Sequence, residues 1–123
     1  MKFNDDGDVR VIVIDDVDFY VVLSYHCIRR QYLRELSKEV IMNCIESSFG
    51  ELLNYIRYGE AVTVYDMDME MSYSAHLSHK GEQFVISTVV PGKMLGKLIK
   101  YQDLFIVKEG ILQPIDYSEY MAL

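Results

Sequence analysis

The chain has 123 residues and a mass of 14.3 kDa. Its residues are 50% hydrophobic and 25% charged, a balance that excludes an intrinsically disordered chain and fits one compact domain. A formal net charge of −7 argues against a protein that coats nucleic acid through bulk attraction to phosphate.

Two short runs of β-branched and aromatic residues open the chain, from Val11 to Ile14 and from Phe19 to Leu23. The stretch from Asp15 to Asp18 between them supplies turn chemistry, so the pattern predicts a β-hairpin. From Ser24 onward the apolar residues recur at helical spacing. This change of period predicts an amphipathic helix from about Tyr25 to Leu36.

Further helical segments are predicted after this first helix. Ser37 is placed to cap a second helix, whose apolar residues again recur at helical spacing. Ser48 and Glu51 have the spacing of a capping box, which predicts a third segment that ends at Gly59. The sequence leaves open whether the second and third segments form one bent helix.

The second half of the chain is predicted to be mainly strand. The predicted strands are Ala61 to Tyr65, Met71 to Leu77, Phe84 to Val90, Leu104 to Val107 and Ile111 to Ile115. In the second of these, apolar residues alternate with Ser72, Ser74 and His76, which predicts a strand with one solvent-facing side. A short acidic tail follows Pro114.

The order of these elements predicts a single α+β domain spanning residues 1–123. We expect an N-terminal β-hairpin and two to three helices packed on one face of an antiparallel sheet. Apolar residues on the inward sides of the elements should form the core. These are Ile28, Leu33, Ile41, Ile45, Leu52, Ile56, Val62, Val64, Phe84, Ile86 and Val107.

No targeting segment or metal cage is predicted. The longest apolar run, from Phe19 to Leu23, is too short to cross a bilayer, and the start of the chain lacks the pattern of a signal peptide. Cys27 and Cys44 lack the spacing of a zinc site or of a disulfide framework, so we expect both to be small buried hydrophobes. We therefore expect a cytoplasmic protein that uses neither a metal ion nor a cofactor.

The first predicted helix carries residues suited to RNA chemistry. His26 and Arg30 are four positions apart and therefore share a helix face, which Arg34 continues one turn later. A histidine exchanges protons near neutral pH, and an arginine can hold a phosphate through two parallel hydrogen bonds. RNA cleavage needs both functions, because a 2′ oxygen must lose its proton while negative charge grows on the phosphate.

This helix, from Tyr25 to Leu36, resembles that of the RegB-type endoribonucleases of T-even bacteriophages, in which a His and an Arg also stand four residues apart. The stretches from Val85 to Lys93 and from Gly96 to Lys100 are similar to the C-terminal strand and Pro-Gly-Lys segment of that family. The resemblance covers about half of the chain. It implies the RelE-type toxin and ribonuclease fold, in which helices precede an antiparallel sheet.

The resemblance also implies an activity, which is metal-independent cleavage of mRNA by 2′-oxygen attack. His26 and Arg30 would be the catalytic residues. Phosphate contacts would come from Lys93, with Arg29, Arg34 and Lys97 as further substrate-binding residues. The RNA would be free or ribosome-associated mRNA in the cytoplasm of a phage-infected host.

One departure from the family supports an alternative function. The second active-site histidine of the family would fall near Asn43 to Glu46, where this sequence has no histidine. Together with the net charge of −7, this favours a non-catalytic acidic phage protein that binds and inhibits a host nucleic-acid-binding protein.

Two other groups of polar residues remain open. His76 and His79 offer replacement acid and base groups, but the sequence favours a simpler interpretation. In this one His76 is a polar residue on a solvent-facing strand and His79 lies in a turn. Asp66, Asp68 and Glu70 share one side of the chain, which predicts a solvated acidic edge rather than a cation site.

Overall fold

The computed structural model describes residues 9–24, 37–57, 59–78 and 83–123. The predicted helix from Tyr25 to Leu36 falls outside these residues. Several residues with predicted roles also lie outside the described ranges, so their roles stay predictions. These residues are His26, Cys27, Ile28, Arg29, Arg30, Leu33, Arg34 and His79.

The described residues form an α+β fold, as predicted, with seven strands and two α-helices. The elements are β1 (Val9–Ile14), β2 (Val17–Leu23), α1 (Lys38–Leu52), β3 (Ala61–Asp66), β4 (Met71–Leu77), β5 (Gln83–Pro91), β6 (Asp103–Lys108), β7 (Ile111–Ile115) and α2 (Tyr117–Met121). A short 3₁₀ helix, Ile99–Tyr101, precedes β6.

All seven strands belong to one mixed sheet in the order β1-β2-β5-β4-β3-β6-β7. The β2–β5 and β3–β6 pairs are parallel, whereas the other neighbouring strands are antiparallel. The prediction of an antiparallel sheet was therefore wrong at these two pairs. A parallel pair needs a long crossover, and strand patterns along the sequence do not show which distant strands become neighbours.

Tight hairpins form both ends of the sheet. Asp15 and Asp16 turn the chain between β1 and β2, and Glu109 and Gly110 do so between β6 and β7. All four residues have positive φ, between 51° and 75°. This conformation is typical of the type I′ turn, whose twist matches that of the flanking strands. The predicted N-terminal hairpin is confirmed, with β2 starting earlier than predicted, at Val17.

Helix α1 covers one face of the sheet. Ser37 caps it as predicted, since its Oγ accepts a hydrogen bond from the Val40 N–H at 3.1 Å. The capping box predicted at Ser48 is wrong, because α1 runs through this residue to Leu52. Ser48 is buried and its hydroxyl lies 3.1 Å from the hydroxyl of Tyr73 on β4. The second predicted helix and the start of the third are thus one helix.

The opposite face of the sheet is covered by residues 92–102 and by α2. Met94, Ile99, Leu104 and Tyr120 form a second apolar cluster there. The prediction that all helices pack on one face is therefore wrong for α2. The same layer buries Ser72 and Ser74, so the serine side of β4 is not the solvent-facing side that its alternation predicted.

The main core lies between α1 and the sheet. Predicted core residues that the structure describes are all buried, which confirms that part of the prediction: Ile41, Ile45, Leu52, Ile56, Val62, Val64, Phe84, Ile86 and Val107. Phe49 of α1 contacts Phe19 and Phe84, with ring centroids 5.4 and 4.8 Å apart. These rings join the helix to β2 and β5.

We predict that Ile45→Ala lowers the free energy of unfolding by about 2–5 kcal/mol, because Ile45 is fully buried and its truncation leaves a cavity under α1. Urea unfolding followed by circular dichroism measures the change. Val40→Ala is the control, since Val40 lies on the same helix and is 42% exposed. Equal losses for the two variants would contradict the position of α1.

Candidate functional site

Lys93 was predicted to contact phosphate, and its amino group lies at the C-terminal end of α2. The Nζ atom donates to the main-chain carbonyls of Tyr120 and Met121 and to a main-chain oxygen of Leu123, at 3.2–3.4 Å. It also lies 5.6 Å from the centroid of the Tyr120 ring. Carbonyls at a helix end attract a cation, so Lys93 fastens α2 to the segment that follows β5.

The other lysines of this segment are more exposed. Lys97 is exposed and forms no ion pair with the described residues. Lys100 lies with its Nζ 5.1 Å from the centroid of the Tyr101 ring, which is 75% exposed. The predicted role of Lys97 in substrate binding, together with Arg29 and Arg34, stays a prediction, since both arginines lie outside the described residues.

A polar cleft of about 530 Å³ lies where β6 and β7 meet the chain that follows α1. Arg57 and Lys100 line it together with three carboxylates, those of Glu60, Asp103 and Asp116. The Tyr55 ring contacts Phe105 at one wall, with centroids 5.5 Å apart. With more carboxylates than cations in its lining, the cleft does not provide a cationic cradle for phosphate.

Asp66 was predicted to lie on a solvated acidic edge, and this is wrong. It is 2% exposed, at the end of β3, on the same face as Val62 and Val64. Its carboxylate accepts hydrogen bonds from the Cys44 thiol at 3.3 Å and from the Met69 N–H at 3.0 Å. Asp66 thus joins α1 to the turn that leads into β4.

The Cys44 thiol is buried, as predicted. Burial and the carboxylate of Asp66 raise the pKa of this thiol far above its usual range. Burial also raises the pKa of the Tyr73 hydroxyl, which lies beside Ser48 in the same region. Both groups therefore stay protonated at neutral pH, which fits a structural role rather than that of a nucleophile or base.

Asp68 is exposed, as predicted, but it has a specific partner. Its two carboxylate oxygens accept hydrogen bonds from the N–H groups of Glu109 and Gly110, each at 2.8 Å. These bonds hold the pKa of Asp68 below its usual range. The carboxylate therefore braces the β6–β7 turn.

The acidic residues at the tip of the β1–β2 hairpin have a different environment. Asp15, Asp16 and Asp18 are exposed, and none forms an ion pair with a described residue. Arg10, which lies further along the same hairpin, is paired with Glu39 at 2.9 Å and with Glu46 at 3.0 Å. Among the described residues, the hairpin tip is thus an acidic surface without a paired cation.

Neither a metal centre nor a membrane span is found in the described ranges. No group of histidine, cysteine and carboxylate side chains there is arranged to hold a metal ion. The described helices are too short or too polar for any of them to cross a bilayer. His76 lies partly buried on β4, on the same side as Ser74.

Comparison of the chain with profiles of known protein families, with curated proteins and with solved structures gives no match.

We predict that Lys93→Met lowers thermal stability and speeds amide exchange in α2, because the carbonyls of Tyr120 and Met121 lose their shared cation. Lys97→Met is the matched control, since it removes the same charge from an exposed position in the same segment. Differential scanning fluorimetry and hydrogen exchange measure both effects. Equal thermal stability and equal amide exchange of the two variants would contradict the structural role of Lys93.

Proposed function

We propose that the protein is an acidic binding protein whose partner is a basic protein that itself binds nucleic acid. The observation that carries this proposal is the hairpin tip, where Asp15, Asp16 and Asp18 are exposed and form no ion pair with the described residues. By contrast, Arg10 and Lys93 are engaged within the chain. With a net charge of −7, this distribution favours a cationic partner over a phosphate backbone.

Such a function needs no reaction chemistry. Exposed carboxylates accelerate the encounter with a basic surface and exclude like-charged partners. A protein whose basic surface is occupied in this way can no longer bind its nucleic acid there. The buried Cys44 and Tyr73, held protonated by their surroundings, fit a protein that acts by binding.

We expect the protein to capture basic nucleic-acid-binding proteins from a nuclease-treated bacterial lysate, and added RNA should compete for them. The triple variant Asp15→Asn, Asp16→Asn, Asp18→Asn should capture about tenfold less of these partner proteins than the wild type does. Asparagine is compatible with the turn but removes the charge. Quantitative mass spectrometry of the captured proteins measures the difference. Equal capture by the wild type and the variant would contradict the proposal.

The second candidate function is the RegB-type endoribonuclease, which the spacing of His26 and Arg30 favours. The described structure adds exposed aromatic rings that could stack on bases, since Tyr55 is 47% and Tyr101 is 75% exposed. In this function His26 transfers a proton and Arg30 stabilises the charge on the scissile phosphate.

If the protein is this ribonuclease, His26→Ala and Arg30→Ala should each lower cleavage by about 100-fold or more, because neither function is replaced by a neighbouring group. Chelators should leave the rate unchanged. The assay incubates the protein with total RNA, with and without ribosomes, and maps new 5′-hydroxyl ends. Lys2→Ala is the control. If no new 5′-hydroxyl ends form under any of these conditions, the ribonuclease function is rejected and the binding function is the one that remains.

A further inference from the structure

We infer that β1 is a docking edge, onto which an extended basic segment of a partner protein adds as a further strand of the sheet. This inference rests on the proposed function and names the surface that performs it. Strand β1 lies at one end of the sheet, with β2 on one side and no described strand on the other. Strand addition at such an edge supplies main-chain hydrogen bonds to the partner.

The register of the hairpin determines which main-chain groups face outward. Ile14 lies opposite Val17 next to the two-residue turn, so this pair exchanges hydrogen bonds across the hairpin. Bonded pairs then alternate along the hairpin. Val9, Val11 and Val13 occupy the non-bonded positions, and their N–H and C=O groups therefore point away from β2.

The opposite edge of the sheet is protected, whereas β1 is not. By the same register argument, Leu112 and Pro114 hold the outward positions of β7, because Lys108 pairs with Ile111 beside the turn. A proline has no N–H to offer, and prolines at sheet edges block pairing. Strand β1 contains no proline, and five of its six residues are apolar and β-branched, with Arg10 as the exception.

The side chains of the outward positions form an apolar strip. Val11 is 50% and Val13 is 62% exposed, and both lie on the face of the sheet opposite to Ile12, which is buried in the main core. Alternate residues of an added strand would cover these valines. The strip favours a segment with small β-branched residues at every second position.

Charge selects the partner. Asp18 lies directly opposite Val13, and Asp15 and Asp16 follow the end of the strand. In the described part of the chain, carboxylates are therefore concentrated at the turn end of β1, and they fit a segment with lysine or arginine beside its apolar part.

A second copy of β1 fits this edge poorly. Parallel pairing would set the two hairpin tips, with Asp15 and Asp16 of each copy, side by side. In either direction a second copy adds further carboxylates to the edge rather than cations. A basic segment instead gains free energy from the charges at the hairpin tip.

The probe is a fluorescent synthetic peptide with two lysines at each end and a centre of alternating valine and threonine. We expect it to bind the full-length protein with an affinity that falls as salt is raised, and a peptide with glutamate for each lysine should not bind. Amide shifts in NMR spectra should be largest at Val9, Val11 and Val13. Shifts confined to other strands would overturn the inference.

Val11→Pro tests the edge itself, since it removes an N–H that the hairpin does not use. We expect it to weaken peptide binding by at least about tenfold, the loss expected for an edge hydrogen bond and the steric block of the ring. Val11→Ala is the control that keeps the N–H. Circular dichroism checks the fold of both variants. Equal peptide affinity of a folded Val11→Pro variant and the wild type would overturn the inference.

A charge variant tests the inference independently, even if the Val11→Pro variant fails to fold. The triple asparagine variant at Asp15, Asp16 and Asp18 should weaken peptide binding by at least about tenfold, whereas Glu109→Gln, at the matching turn of the other hairpin, should not. Equal effects of these two variants on peptide affinity would overturn the inference.

The capture and peptide experiments together distinguish this inference from the proposed function. If the wild type captures basic proteins but the peptide does not bind at β1, the inference is overturned and the proposed function stands. If the wild type neither captures basic proteins nor binds the peptide, the inference and the proposed function are both overturned. Concentration-dependent dimerisation abolished by Val11→Pro would assign the edge to a second copy and overturn the inference.

Discussion

The hydroxyl of Ser72 holds the second layer of the protein against the centre of the sheet. It donates to the Gly92 carbonyl at 2.6 Å and accepts from the Met94 N–H at 3.0 Å. The segment that follows β5 is thereby fixed across the face of the sheet opposite α1. The Tyr120 hydroxyl then donates to the Met94 carbonyl at 2.6 Å, which fixes α2 on the same layer. Burial raises the pKa of this hydroxyl to about 12, so it remains a donor at neutral pH.

Satisfied hydroxyls make it possible to bury both faces of β4. Thr63 on β3 lies 2.6 Å from the Ser74 hydroxyl and also hydrogen-bonds Gln102. On the other face, Tyr73 reaches Ser48 of α1. A buried hydroxyl without a partner would cost free energy, and here each one joins two elements. The polar side chains of β4 therefore determine where its neighbouring layers lie.

Local patterns predicted the elements of this fold better than their arrangement. Alternation and turn residues predicted both hairpins and the strands near their observed limits, because these signals depend on neighbouring residues. The parallel neighbours of β2 and β3 depend on contacts between distant parts of the chain. Ser72 and Ser74 were misassigned for the same reason, since the layer that buries them comes later in the sequence.

The candidate site was less predictable than the fold. The amino group of Lys93 meets carbonyls of α2, a helix that the sequence analysis took for an acidic tail. Asp66 was placed on the wrong side because its burial depends on Cys44 of α1. The open edge of β1 could have been suspected from its unbroken β-branched run, but its outward groups follow only from the hairpin register and the strand order.

The parallel pairing of β2 with β5 has a consequence for the order of folding. This pair joins Tyr20 to Gln83 and Leu23 to Ile86, so the chain must close a long loop before the N-terminal hairpin can join the sheet. Strands β3, β4 and β5 follow one another and pair as neighbours, which costs less loop entropy. We therefore expect the hairpin to join a sheet that already exists, as a late step of folding.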